Sequence, residues 1–165
     1  MHRSSALRRA GAAPAVRTIA VLLSMAALSA CTHIKLIADY DEVIDKSATE
    51  SSKKVEGFFT KLERATSYDE VSYLKSTSFY DDIRADLRTM RVRAGAVPKN
   101  SLTVQQVDLL IQNIDALEKI HKLHDPQQKL FTAEELAPMR TAFSQQFMAI
   151  IKLELAKKRG EESSE

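Results

Sequence analysis

The chain has 165 residues, with 24 Lys and Arg against 22 Asp and Glu, a formal net charge of +2, four glycines, four prolines and one cysteine. One cysteine excludes an intrachain disulfide framework, and the near balance of charge excludes the strongly basic domain that nucleic-acid binding requires. So few glycines and prolines favour long helices.

Residues 1–17 carry Arg3, Arg8, Arg9 and Arg17 and no acid, and residues 18–30 form an apolar run. A spanning helix needs ~20 apolar residues, so this shorter run predicts a removable targeting segment. The run closes on Leu28-Ser29-Ala30-Cys31, which places the sole cysteine directly after small residues. A general secretory signal explains the small residues but not the cysteine. Arg8-Arg9 is followed by Ala10-Gly11-Ala12, without the bulky residue of a twin-arginine export signal.

This arrangement resembles the signal segment of bacterial lipoproteins. The resemblance implies a diacylglycerol on the Cys31 sulfur, cleavage between Ala30 and Cys31, and acylation of the new amino terminus. A single acyl chain anchors only marginally, whereas two or three, at ~0.8 kcal/mol per buried CH₂, hold firmly. Thr32 stands where an aspartate would commonly retain a lipoprotein in the inner membrane. The implied location is the outer membrane, facing the periplasm.

Removing the first 30 residues leaves 135, enough for one domain. Loss of the four arginines leaves 20 basic against 22 acidic residues, a net charge of −2. The expected organisation is a cleaved signal at 1–30, a lipidated tether at 31–33, a helical bundle at 34–160 and a disordered tail at 161–165.

Within the bundle, Ile44, Ala48, Ser51, Val55, Phe58, Leu62 and Ala65 alternate spacings of four and three. That is the seam of a helix packed lengthwise on others, expected from Ile34 to about Ala65 with Ile37 and Tyr40 extending its face. Ser67-Tyr68-Asp69-Glu70 reads as a capping box starting a short helix through Val71 and Leu74. Ser76-Thr77-Ser78 should interrupt it, because their hydroxyls compete for backbone hydrogen bonds. The next helix carries Tyr80, Ile83, Leu87, Met90 and Ala94 on one stripe and ends at Gly95 and Pro98.

Thr103 with Gln106, and Thr132 with Glu135, form two further capping boxes, with Leu102/Val107 and Phe131/Leu136 as their hydrophobic staples. The first starts a helix burying Val107, Leu110, Ile114 and Leu117 and stopping at Asp125-Pro126; the second starts the last helix. Pro138 should kink or restart that helix, since it removes an amide. The stripe continues through Met139, Phe143, Phe147 and Ile150, widened by Ile151, Leu153 and Leu155. Lys157-Lys158-Arg159 before Gly160 suits a helix C-terminus. The expected fold is all-α, an antiparallel bundle of four long legs with the second broken into two helices.

Three groups of residues could carry chemistry. Glu118, His121 and His124 follow one another at i+3 on one helix side. Glu-x-x-His is half of a carboxylate-bridged di-metal site, but the chain contains no second copy. Arg84, Arg88 and Arg91 make a basic stripe beside the seam, and Lys157, Lys158 and Arg159 a second basic cluster. The stripe could meet an anionic envelope polymer or an acidic protein, and the second cluster lipid headgroups; the plainer readings are a solvated flank, with Asp81 at i−3 of Arg84, and ordinary helix C-terminal capping. No nucleophile elbow or glycine-rich phosphate loop is present. The expectation is a non-enzymatic module that binds or scaffolds an envelope protein or polymer, with no cofactor beyond the lipid on Cys31 and no nucleic-acid partner. The alternative is a bundle holding a metal or small ligand at Glu118, His121 and His124. Ile37-Ala38-Asp39-Tyr40-Asp41 and Leu153-Glu154-Leu155-Ala156-Lys157-Lys158-Arg159 give the body a resemblance to small helical envelope lipoproteins, which implies no activity or site residues.

Overall fold

The computed structural model describes residues 37–162. The signal segment, Ala30, Cys31, the tether and Ile34 lie outside the described residues, as do residues 163–165.

Among the described residues there are four long helices, α1 (Glu42–Arg64), α2 (Tyr73–Ala96), α3 (Ser101–His124) and α4 (Ala133–Glu162), with short 3₁₀ turns at Tyr68–Val71 and Asp125–Gln127. No strand occurs among the described residues. Each helix packs on two others, α1 and α3 both contacting α2 and α4, which closes an all-α bundle in the order 1-2-3-4. Cross-helix ion pairs fix the antiparallel register: Lys54 with Asp86 between α1 and α2, Arg91 with Asp108 between α2 and α3, and Arg140 with Glu56 between α1 and α4.

The seams read from periodicity form the core. Ile44, Ala48, Val55, Phe58 and Leu62 meet Tyr80, Ile83, Leu87, Met90 and Ala94, and Val107, Leu110, Ile114 and Leu117 meet Phe143, Phe147 and Ile150, all buried. Ala65 and Met139 pack at the edge of this cluster.

Several boundaries differ from the sequence expectation. α1 begins at Glu42, where Asp41 accepts from the amides of Val43 (2.9 Å) and Ile44 (3.2 Å); residues 37–41 are not helical, so Ile37 and Tyr40 extend no helix face. The break in the second leg falls at Ser72, not at Ser76–Ser78, which lie inside α2. A carboxylate supplied from elsewhere explains the shift. Asp125, in the α3–α4 connection, accepts from the Tyr73 amide (3.3 Å) and the Tyr68 hydroxyl, starting α2 with no cap from its own sequence. At the 3₁₀ turn the hydroxyls of Thr66 (2.8 Å) and Ser67 (3.1 Å) both donate to Glu70, so Ser67 does not cap an amide there.

Thr103 is not a helix cap either. α3 starts three residues earlier, after Asn100, and Thr103 is fully buried, while Leu102, the expected staple partner of Val107, is 52% exposed. The box at Thr132 does form: the Glu135 amide donates to Thr132 Oγ1 (3.2 Å) and Glu135 accepts from the Thr132 amide (2.8 Å), with Phe131 and Leu136 both buried. α4 then runs unbroken through Pro138. Pro138 and Glu134, whose carbonyl loses a partner, are both exposed, so water can satisfy it. α4 also continues past Gly160 to Glu162, and Glu161 accepts from the Tyr40 amide (2.8 Å), so these two acids belong to the helix rather than to a tail. No helix among the described residues is long and apolar enough to cross a membrane.

Candidate functional site

Polar groups are buried at both ends of the bundle, in two separate clusters. The first surrounds Lys157 at the end where residues 37–41 enter. On α4 the seam continues from Ile150 to Glu154 and Lys157, in place of apolar residues at those positions, while Leu155 is left exposed. The Lys157 ammonium donates to Glu154 Oε1 (2.5 Å), Asn100 Oδ1 (2.7 Å) and Thr103 Oγ1 (3.0 Å), which uses all three of its protons. Thr103 donates to Glu154 Oε1 (3.1 Å), and Glu154 Oε2 accepts from the Asp41 amide (3.2 Å). Asn100 in turn donates to the Ala94 carbonyl (3.2 Å). A fully satisfied network thus ties α2, α3 and α4 to the segment preceding α1. Arg93 completes the tie by pairing with Asp41 (2.8 Å). Burial pushes the Asp41 carboxyl up, but Arg93 and the amides of Ile44 and Val43 outweigh it and hold the pKa below the usual range.

This geometry corrects the reading of Lys157 as a surface cation. It is 3% exposed and engaged on every side, so it cannot reach an anionic partner, whereas Lys158 and Arg159 are exposed. Lys158 lies over the Tyr40 ring, 5.4 Å from its centroid. A lysine beside a hydroxyl is also the arrangement of a nucleophile and its base, but Thr103 and Lys157 are sealed from any substrate.

The second cluster lies at the opposite end, where the sequence placed Glu118, His121 and His124. They share one stretch of α3 but do not converge. His121 is buried; its Nδ1 accepts from the Tyr80 hydroxyl (2.9 Å) and its Nε2–H donates to the Val71 carbonyl (2.7 Å). Burial lowers the His121 pKa, more than the Val71 carbonyl raises it, and burial also raises that of Tyr80, which keeps the hydroxyl protonated. His121 is therefore a neutral brace joining α2, α3 and the 3₁₀ turn, with neither nitrogen free to bind a metal.

Glu118 turns toward α2 and accepts from Arg84 (2.6 Å), Tyr73 (2.7 Å) and Lys122 (3.0 Å). Burial raises its pKa, but these three donors prevail and bring it down to about 2. His124 stacks on Phe131, with centroids 4.3 Å apart, and its Nε2 is 3.7 Å from Glu135. Among the described residues no group of three or more His, Cys, Asp or Glu is placed to hold a metal. Two clefts of about 240 and 200 Å³ open between α1 and α4, both lined by Phe59 and Arg140, and neither includes Glu118, His121 or His124.

The arginine stripe is divided by its partners. Arg84 is tied to Asp115 (2.9 Å) and Glu118, Arg91 to Asp108, and Arg88 is exposed and has no partner among the described residues. Sequence spacing located Asp81, which stands 3.8 Å from Arg84, but missed the nearer acids of α3.

No known protein family, curated protein or solved structure matches the chain.

Proposed function

We propose that this protein is a lipid-anchored, non-enzymatic module of the bacterial envelope, held through Cys31 on the periplasmic face of the outer membrane. There it binds or scaffolds another envelope protein or polymer. The observation that carries this reading is Leu28-Ser29-Ala30-Cys31 behind a basic segment and a short apolar run, with the only cysteine at the position of attachment. The geometry of the bundle is consistent with it. The segment leading from the anchor is held at one end by Glu154, Arg93 and Glu161, and the exposed cations Lys152, Lys158 and Arg159 approach that same end. Each cation near an anionic headgroup surface contributes about 1 kcal/mol. Glu161 and Glu162 oppose that attraction, so the acyl chains supply the attachment.

Fractionation of Cys31→Ala tests the anchor: the variant should leave the membrane fraction or stay uncleaved. Retention in membranes at the mature mass would overturn the reading. A spin label at position 158 should lie closer to the bilayer than one at position 66, at the opposite end of the bundle; the reverse order would overturn the orientation.

A further inference from the structure

Charge is distributed unevenly around the bundle. From Ser101 to Leu117 the charged residues of α3 are Asp108 and Asp115, and both turn toward α2, where Arg91 and Arg84 hold them. On α4, antiparallel to α3, the stretch Thr141–Ile151 contains no charged residue. The flank of α3 turned away from α2 carries Leu102, Leu109, Ala116 and Leu123 at an unbroken seven-residue spacing, and all four are exposed, Leu123 to 63%. Gln106 and Asn113 lie beside them. A solvated flank would carry Lys and Glu at such positions, as α1 does at Glu42, Lys46, Glu50 and Lys53.

We infer that this flank of α3 is the seam on which a second copy of the chain docks, helix beside helix in the same direction. In a parallel two-fold pair every residue near the axis meets its own copy. A charged side chain on that axis would then face its like; the central line Leu102, Gln106, Leu109, Asn113, Ala116, Ile120 and Leu123 carries none, and the exposed Lys119 and Lys152 stand at its edges. Glutamine and asparagine each carry donor and acceptor, so each can pair with itself. A seven-residue apolar repeat is the pattern by which one helix follows another lengthwise. The area also suffices. A 24-residue helix is ~36 Å long, and with the adjoining flank of α4, where Ala149 and Ala156 are exposed, a face ~20 Å wide gives roughly 700 Å² per copy, close to the ~800 Å² of a stable interface. The parallel sense rests on the anchored reading, because copies tethered to one bilayer stand side by side; the pairing itself does not.

The test is oxidative cross-linking in intact cells of full chains carrying Leu102→Cys, Leu109→Cys or Leu123→Cys. The unaltered chain and Lys53→Cys, on the charged side of α1, set the background. Covalent dimers should form at each of the three positions well above background. Adding Ala116→Glu, which sets like charge against like in the seam at an exposed position, should lower the Leu109→Cys yield by roughly tenfold or more. Adding Met148→Glu, exposed on the other flank of α4, should leave it unchanged. Yields at background level, or insensitive to Ala116→Glu, would overturn the seam. Dimers formed only when Leu102→Cys and Leu123→Cys chains are co-expressed would overturn the parallel sense. Cross-linking of the unaltered chain would show a free Cys31 thiol and so count against the anchor instead.

Discussion

Replacing Lys157 by Met keeps the length of the side chain and deletes its charge, which isolates what the buried cation contributes. In the native fold the ammonium satisfies Glu154, Asn100 and Thr103, and Glu154 is completely buried. Without Lys157 the Glu154 carboxylate keeps only the Thr103 hydroxyl and the Asp41 amide, and Asn100 Oδ1 loses its donor. Removing one member of a buried ion pair costs about 3–5 kcal/mol, against a total stability of about 5–15 kcal/mol for a domain of this kind. At ~3–4 °C per kcal/mol, Tm should fall by ~10–20 °C. Urea melts followed by circular dichroism, with Lys158→Met as the neighbouring control, measure the loss; the control should cost no more than about 1 kcal/mol, since Lys158 is itself exposed and overlies the half-buried Tyr40 ring. Adding Glu154→Gln to Lys157→Met should recover part of the loss, because the amide keeps an acceptor and removes the stranded charge. A cost under about 1 kcal/mol for Lys157→Met is what an exposed pair would give, and would refute the buried network.

His121 is held neutral with its pKa lowered by burial, so its contribution is intact above the unfolded value of about 6.5 and is lost as pH falls below it; His121→Gln should flatten the pH dependence of the melts in that window. Glu118→Gln should cost about 1–3 kcal/mol by chemical denaturation at pH 7, since three donors lose a charged acceptor, whereas a solvated carboxylate would show almost no change. Gly57→Ala should raise stability by about 0.5–1 kcal/mol, because an added methyl meets nothing within 4 Å; a loss would show that this stretch of α1 is not regular helix.

The sequence made the apolar framework legible because heptad-like spacing and burial report the same thing. The stripes Tyr80, Ile83, Leu87, Met90 and Ala94 on α2 and Val107, Leu110, Ile114 and Leu117 on α3 follow from spacing alone, and all are buried. Polar residues that occupy seam positions were harder to read. Glu154 and Lys157 fall four and seven residues after Ile150, in phase with the stripe, yet their chemistry suggests a solvated helix end. Only the partners Asn100 and Thr103, more than 50 residues distant, make their burial tolerable. Thr103 shows the same effect in reverse: a residue type suited to capping was needed inside the core instead. The start of α2 was illegible for a related reason, since its capping carboxylate, Asp125, comes from another connection. Asp41 is the opposite case, an aspartate directly before Glu42 that caps α1 locally, but the spacing of Ile34, Ile37 and Tyr40 continues the periodicity across it and masks the boundary.

The claim on which location and role rest is the modification of Cys31, and mass spectrometry of the amino-terminal peptide of the chain extracted from membranes tests it most directly. The account predicts a peptide beginning at Cys31, bearing a diacylglyceryl group on sulfur and an acyl group on the new amine. A chain that begins elsewhere, or one that begins at Cys31 with a free thiol, would contradict it.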